Sequence, residues 1–142
     1  MDIENKLPFK SINKKEMTLY LDSIMKDMIN YDIRCDMDDI NNIVQNNNLF
    51  YIWSYTTLNR TNSIKELTSN FIESCAKKYN TEANIKSMII VWSFSSYVSF
   101  IDIVDASVLI NDSMQNNIEI LYAVKFDITN IKHESSLTII AF

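Results

Sequence analysis

A chain of 142 residues with no glycine and a single proline, Pro8, has few inexpensive ways to turn. Glycine takes left-handed backbone without steric cost, and the tight hairpins, bulges and corners of all-β folds draw on it heavily. Its absence argues against an all-β sandwich. It also removes the Gly-rich loop that cradles phosphates, the strained elbow that presents a nucleophilic serine, and the calcium loop that needs glycine at its sharp turn. Asparagine is abundant instead, above all in the run NNIVQNNN. It tolerates left-handed backbone and is expected to end helices here.

The remaining composition narrows the class. A chain of this length buries roughly 70% of its unfolded surface, enough for one core, so residues 1–142 are read as one domain with 1–10 as a flexible leader. With 47% apolar and 22% charged residues it falls in the range of ordinary globular proteins rather than disordered ones. The formal charge of -5 and pI near 4.8 disfavour nucleic acid as a partner, because such binding rests on clustered Lys and Arg. Lys14 and Lys15 are read as part of a solvated face. Two cysteines, Cys35 and Cys75, do not make a disulfide scaffold, and no charged-then-apolar leader opens the chain, which points to a reducing compartment and an unused sequon at Asn111. No run of apolar residues is long enough to span a bilayer.

Periodicity suggests helices throughout. From Ser11 to about Tyr31, the residues Met17, Leu21, Ile24, Met25, Met28 and Ile29 recur at helical spacing. The aspartates of DIRCDMDD lack a closing Glu at calcium-loop distance. Asp38 or Asp39 reads better as the cap of a second helix, through Ile40, Ile43, Val44 and LFYIWSY, bent at the asparagine cluster. Ile64, Leu67, Phe71, Ile72, Cys75 and Tyr79 mark a third helix, with Ser63 and Glu66 at capping-box positions. The stretch NIKSMIIVWSFSSYVSF, residues 84–100, is apolar on every side. It reads as a buried helix from about Glu82 to Asp102, although its β-branched residues would also suit a short strand. One or two further helices are expected from Val104 to about Lys125, and a last short one in SSLTIIAF. A helix apolar all round must be enclosed by others, so the expected architecture is an all-α bundle around a buried central helix.

Candidate chemistry is thin. His133, the single histidine, lies in a polar segment far from Cys35 and Cys75 and reads as a solvated turn residue. The carboxylates are scattered, and Trp53 and Trp92 read as core. No enzyme, metal or cofactor is expected, and a small helical enzyme acting through His133 or Cys75 is the weakest of three readings.

The segment NIKSMIIVWSFSSYVS resembles the first homology motif of the Bcl-2 family, NWGRIVALFSFGGYLA. Asn84, Ser93, Phe94 and Tyr97 match it, and Met88, Ile89, Val91, Trp92 and Val98 are similar. The composition, rich in Asn, Ile, Asp and Lys, resembles poxviral members. The resemblance implies a Bcl-2-like helical bundle with a surface groove lined by Tyr51, Tyr55, Leu58, Ser74, Lys78, Asn84, Ile90 and Phe94. It implies sequestration there of the Bcl-2-homology-3 helix of Bak, Bax or Bim-like proteins, and hence inhibition of apoptosis. The family's glycine and arginine are here Lys86 and Ser87, and its glycine pair is Ser95 and Ser96. Ser87 cannot pair with the ligand's aspartate, so Lys86 or Lys78 is expected to supply the cation. The second homology motif is hardly visible in SSLTIIAF. The alternative is a poxviral Bcl-2-like adaptor with a closed groove that inhibits innate immune (NF-kappaB) signalling. Either is expected as monomer or homodimer in the host cytoplasm, or at the mitochondrial outer membrane if a C-terminal anchor follows Phe142.

Overall fold

A computed structural model describes residues 10–27, 31–47, 50–58, 61–76, 85–113, 118–127 and 133–142. The described chain is mixed α/β, which overturns the all-α expectation. In order it forms β1 (Lys10–Ile12), α1 (Lys14–Asp27), α2 (Met37–Gln45), β2 (Phe50–Thr57), α3 (Ser63–Phe71) with a π-helical turn over Ile72–Ala76, β3 (Ser87–Phe94), α4 (Phe100–Ser113), β4 (Glu119–Phe126) and β5 (Ser135–Ala141). The strands make one five-stranded sheet in the order β1-β2-β5-β3-β4. All neighbours are antiparallel except β3 and β4, which pair in parallel from Ser87↔Glu119 to Phe94↔Phe126. A parallel pair needs a crossover, and α4 supplies it.

Four segments expected as helix are strand. Residues 84–100 do not form a central helix: their apolar part is β3, eight residues long and covered on both sides of the sheet. A strand buried on both faces shows an unbroken apolar run, which periodicity cannot separate from a buried helix. Short length and the β-branched core Ile89, Ile90, Val91 are what favour strand. FYIWSY becomes part of β2, where aromatic and β-branched residues pack well on a pleated surface. The expected helix from Val104 to Lys125 divides into α4 and β4, and SSLTIIAF is β5 rather than a helix. The amphipathic helices do appear: α1 and α3 lie within their expected ranges, and α2 ends before the asparagine cluster.

The sheet divides two layers of core by its period of two. On one side Met88, Ile90, Trp92 and Phe94 of β3 join Trp53, Val124, Leu137 and Ile139, covered by Leu67 and Phe71 of α3 and by Ile103, Ala106 and Ile110 of α4. On the other, Ile89, Val91, Phe50, Ala123 and Ile140 meet Met17 and Leu21 of α1 and Ile40 and Ile43 of α2. Each fully buried large side chain contributes about 1.5–3 kcal/mol before entropy is counted. The indole N–H groups of Trp53 and Trp92 find no acceptor among the described residues. Both rings nevertheless pack on aromatics, Trp53 edge-on to Phe71 at 5.2 Å and Trp92 stacked on Phe94 at 5.4 Å.

The missing glycine is replaced in specific ways. Helix α1 starts with a reciprocal cap: the Glu16 amide donates to Asn13 Oδ1 at 2.8 Å, and Asn13 Nδ2 donates to Glu16 Oε1 at 2.9 Å. The cap of α2 is Asp36, which accepts from the Asp38 amide, rather than Asp38 or Asp39. Helix α3 is capped at Asn62 without a side-chain bond to the helix amides, and Glu66 instead accepts the Thr57 hydroxyl. Asn46, the C-cap of α2, keeps a negative φ of -92°. Among the described residues the one left-handed position falls to His133 at φ 54°, just before β5. Its carbonyl accepts from Ser95 Oγ at 3.1 Å, and Ser135 Oγ accepts from the Ser95 amide at 3.0 Å, which ties this turn to the end of β3.

Candidate functional site

The residues expected to line a ligand-helix groove are distributed over the new fold. Ile90 and Phe94 sit on β3 inside the core, fully buried, and Ser87 is buried at the start of the same strand. Tyr51 and Tyr55 are half-buried on β2 on the α3 side of the sheet. Leu58, just beyond β2, and Ser74, in the π-helical turn, are exposed, as is Lys86. Lys78 and Asn84 lie outside the described residues. Since the walls of the expected groove were to be helices and β2 and β3 are neighbours of β5 in a sheet, the described residues of this set are not assembled around a helix-sized slot.

The apolar surface that the fold does present lies on α4. This helix reads FIDIVDASVLINDS, and its buried stripe is Ile103, Ala106, Ser107 and Ile110. A crossover helix needs only such a stripe to cover a sheet. Here Phe100, Ile101, Val104, Val108 and Leu109 are left exposed as well, with Ile101 at 71% and Val108 at 51% of full accessibility. Tyr97, in the approach to the helix, is exposed too, with its ring stacked 5.3 Å from Phe126. The sequence signal for this surface was the apolar content of residues 100–110, which is higher than one buried face requires.

Two hollows flank α4. One, of about 200 Å³, lies between the helix and the β4 edge and is lined by Ile33, Phe100, Ile103, Val104, Ser107, Val108, Tyr122 and Val124. The other, of about 280 Å³, lies between α4 and α3, where Ile64, Thr68, Ile72, Ala106 and Leu109 meet Lys65, Asp102 and Asp105. The wall at the β4 edge is held firmly. Residues 32 and 33 pair with Val124 through three backbone bonds of 2.8–3.1 Å, and the Phe126 amide donates to the Asp32 carboxylate at 2.8 Å. An added segment therefore covers part of an otherwise open strand edge.

Electrostatics sharpen the picture of this helix. Asp102, Asp105 and Asp112 are exposed on α4, which carries no Lys or Arg. Among the described residues none of the three carboxylates is ion-paired. Asp112 lies in the last turn, where the helix dipole disfavours negative charge. By contrast the buried thiol of Cys35 is not poised for chemistry. Burial, and secondarily the charge of Asp39, pushes its pKa from 9.0 to about 11, and its Sγ donates to the Tyr122 carbonyl at 3.0 Å. A thiol held in its protonated form is a poor nucleophile. His133 is exposed on its turn.

With this geometry described, comparison with known proteins gives a fold. No protein-family model matches the sequence, and no curated protein matches it. Among solved structures the chain is similar to an FtsZ dimer, empty, from M. jannaschii, with a TM-score of 0.63 and 12% identity over 89% of this chain and 39% of that one. It is also similar to the W319Y mutant of the same organism's FtsZ, with a TM-score of 0.60 and 13% identity over 89% and 40% of the two chains. The fold thus resembles part of the FtsZ fold, and the chain spans about two fifths of the length of these neighbours. This overturns the expected Bcl-2-family membership. The readings built on it fall too: the apoptosis inhibitor, the adaptor of NF-kappaB signalling, and the Bak, Bax or Bim-like partners. Among the described residues no helix is long and apolar enough to cross a membrane.

Proposed function

We propose that this chain is a non-enzymatic protein-binding module on an FtsZ-like scaffold, with the outer face of α4 as its binding surface. The observation that carries the reading is the exposed row Phe100, Ile101, Val104 and Val108 on a helix whose opposite stripe already fills the core. Contiguous apolar surface on a soluble domain is costly to solvate and commonly marks an interface. The chemistry of the chain agrees. Without glycine it has no Gly-rich phosphate loop, and its described thiol is held protonated. The similar FtsZ structure is a dimer, which supports reading this scaffold as one that makes protein contacts.

Affinity capture from cell extract with the tagged chain, beside an Ile101→Asp, Val104→Asp, Val108→Asp variant, tests the proposal. Proteins retained by the wild type and lost by the variant are expected, with both chains equally folded by circular dichroism. Identical capture by the two would remove α4 as the binding surface.

A further inference from the structure

Resting on the reading of α4 as an interface, we infer that its occupant is a basic amphipathic helix of another protein. Its bulky apolar side chains seat against Phe100, Val104 and Val108, and its Lys or Arg side chains lie beside Asp105 and Asp112. Three observations lead there. The hollow beside the helix, about 200 Å³ and lined by apolar side chains apart from Ser107 and the Tyr122 hydroxyl, has room for a bulky aliphatic or aromatic anchor. Such a buried anchor is where binding energy concentrates. Next, Ile101, Val104 and Val108 follow the three-and-four spacing that one helix offers to another, so a helical occupant matches the ridge.

Charge decides between occupants. Asp105 and Asp112 border the apolar row and Asp102 lies beside Leu109, while α4 itself carries no cation. Although Lys65 of α3 shares a hollow with Asp102 and Asp105, no ion pair among the described residues joins them, and Asp112 has no cation beside it there. Arg34, beside Ile33 on the far wall of the hollow, already donates its Nε–H to the Tyr31 carbonyl at 3.1 Å. A second copy of this chain packed about a two-fold axis would set the same patch against itself, aspartates included, with -5 on each copy. An anionic lipid surface would meet the same repulsion. A partner bringing cations gains attraction along the rim, relieves the carboxylate in the last turn of α4, and is steered to the surface in low salt.

The test uses the full chain and two labelled peptides: one with Leu at helical spacing and Lys elsewhere, and a twin with Glu at every Lys position. Fluorescence anisotropy is read at low and at high salt. The Lys peptide is expected to bind, about tenfold or more weakly to Val104→Asp and unchanged to Leu19→Asp on α1. Asp105→Asn with Asp112→Asn should weaken it roughly three- to tenfold at low salt, a gap that closes at high salt. Should Val104→Asp not fold, Val104→Ser replaces it. If the Glu twin binds as well, or the Asn variant binds unchanged, the basic partner is refuted while the interface stands. If sedimentation shows self-association that Val104→Asp abolishes, the occupant is a second copy and the inference falls. If the Lys peptide binds but Val104→Asp and Val104→Ser leave it unchanged, or if it does not bind at all and no self-association is seen, the inference fails, and in the former case so does the reading of α4.

Discussion

Helices α1 and α4 are both fourteen residues long and lie on opposite sides of one sheet, yet they treat their outer surfaces differently. The outer side of α1 carries Lys14, Lys15, Glu16, Asp22 and Lys26, with Leu19 as its one large exposed apolar side chain. Its last residue, Asp27, is ion-paired with Lys125 of β4 at 3.0 Å, and Lys125 Nζ lies 5.8 Å above the Tyr31 ring. Helix α4 buries a comparable stripe but leaves five large apolar side chains exposed and three aspartates without ion pairs. The sheet demands one apolar stripe from each helix. What α4 carries beyond that is not needed to cover the sheet.

The comparison can be broken most directly at the inner stripes, where the two helices should be equivalent. Leu21→Ala on α1 and Ile110→Ala on α4 each remove a fully buried side chain, and each is expected to cost about 2–5 kcal/mol in denaturant unfolding. A loss below about 1 kcal/mol for Ile110→Ala would mean that α4 is not anchored through this stripe.

A smaller effect should separate the two sides by pH. Cys35, Tyr20 and Tyr31 all pack with the α1–α2 layer, and burial is the leading cause that raises each pKa. On the α4 side Tyr122 is raised as well, again mainly by burial. A folded-state pKa above the unfolded one means the folded chain keeps its proton where the unfolded chain has lost it. The stability is then whole below the unfolded value and is lost as pH climbs through the folded one. For Cys35 that window runs from 9.0 toward about 11, and the tyrosines add to the loss above 10.0. Stability measured from pH 8 to 11 should fall, less steeply in Cys35→Ala, and hydrogen exchange should show α1 and α2 loosening before α4.

This asymmetry bears on what the residues alone could tell. Helices α1 and α3 were legible because their apolar residues fall on one face: Met17 with Leu21, and Leu67 with Phe71. Strand β3 was not, because Met88 to Trp92 are buried whichever way they point, and an all-round apolar run looks the same as strand or helix. The match to a helical family motif rested on that same run, and reading it as helix carried β2, β4 and β5 along. The alternation in β5, where Leu137 and Ile139 face α3 and α4 while Ile140 faces α1, was available but is only seven residues long. The surface of α4 was hidden for a different reason. Excess apolar content stands out only once the buried face is known.

The tether of α1 predicts a modest cost. Lys125→Met removes the Asp27 pair and the contact over Tyr31, and because both charged groups are partly exposed, the loss is expected at about 1 kcal/mol or less, shrinking in high salt. A loss that does not shrink with salt would show that the charge of Lys125 is not what fastens α1 to β4.

The smallest stability effects are expected where the two helices differ most. Ile101→Lys and Val108→Lys on α4, and Leu19→Lys on α1, all replace exposed apolar side chains. None should shift the unfolding free energy by more than about 0.5 kcal/mol. Their surface behaviour should diverge. Leu19 stands alone among polar neighbours, so its replacement leaves dye binding and solubility as they were. Ile101 and Val108 belong to a continuous row with Phe100 and Val104, and breaking it should lower the binding of a hydrophobic dye and raise solubility. If Ile101→Lys instead destabilised the chain by 2 kcal/mol or more, its side chain would be part of the core in solution. The row on α4 would then be an inner face rather than one turned to a partner.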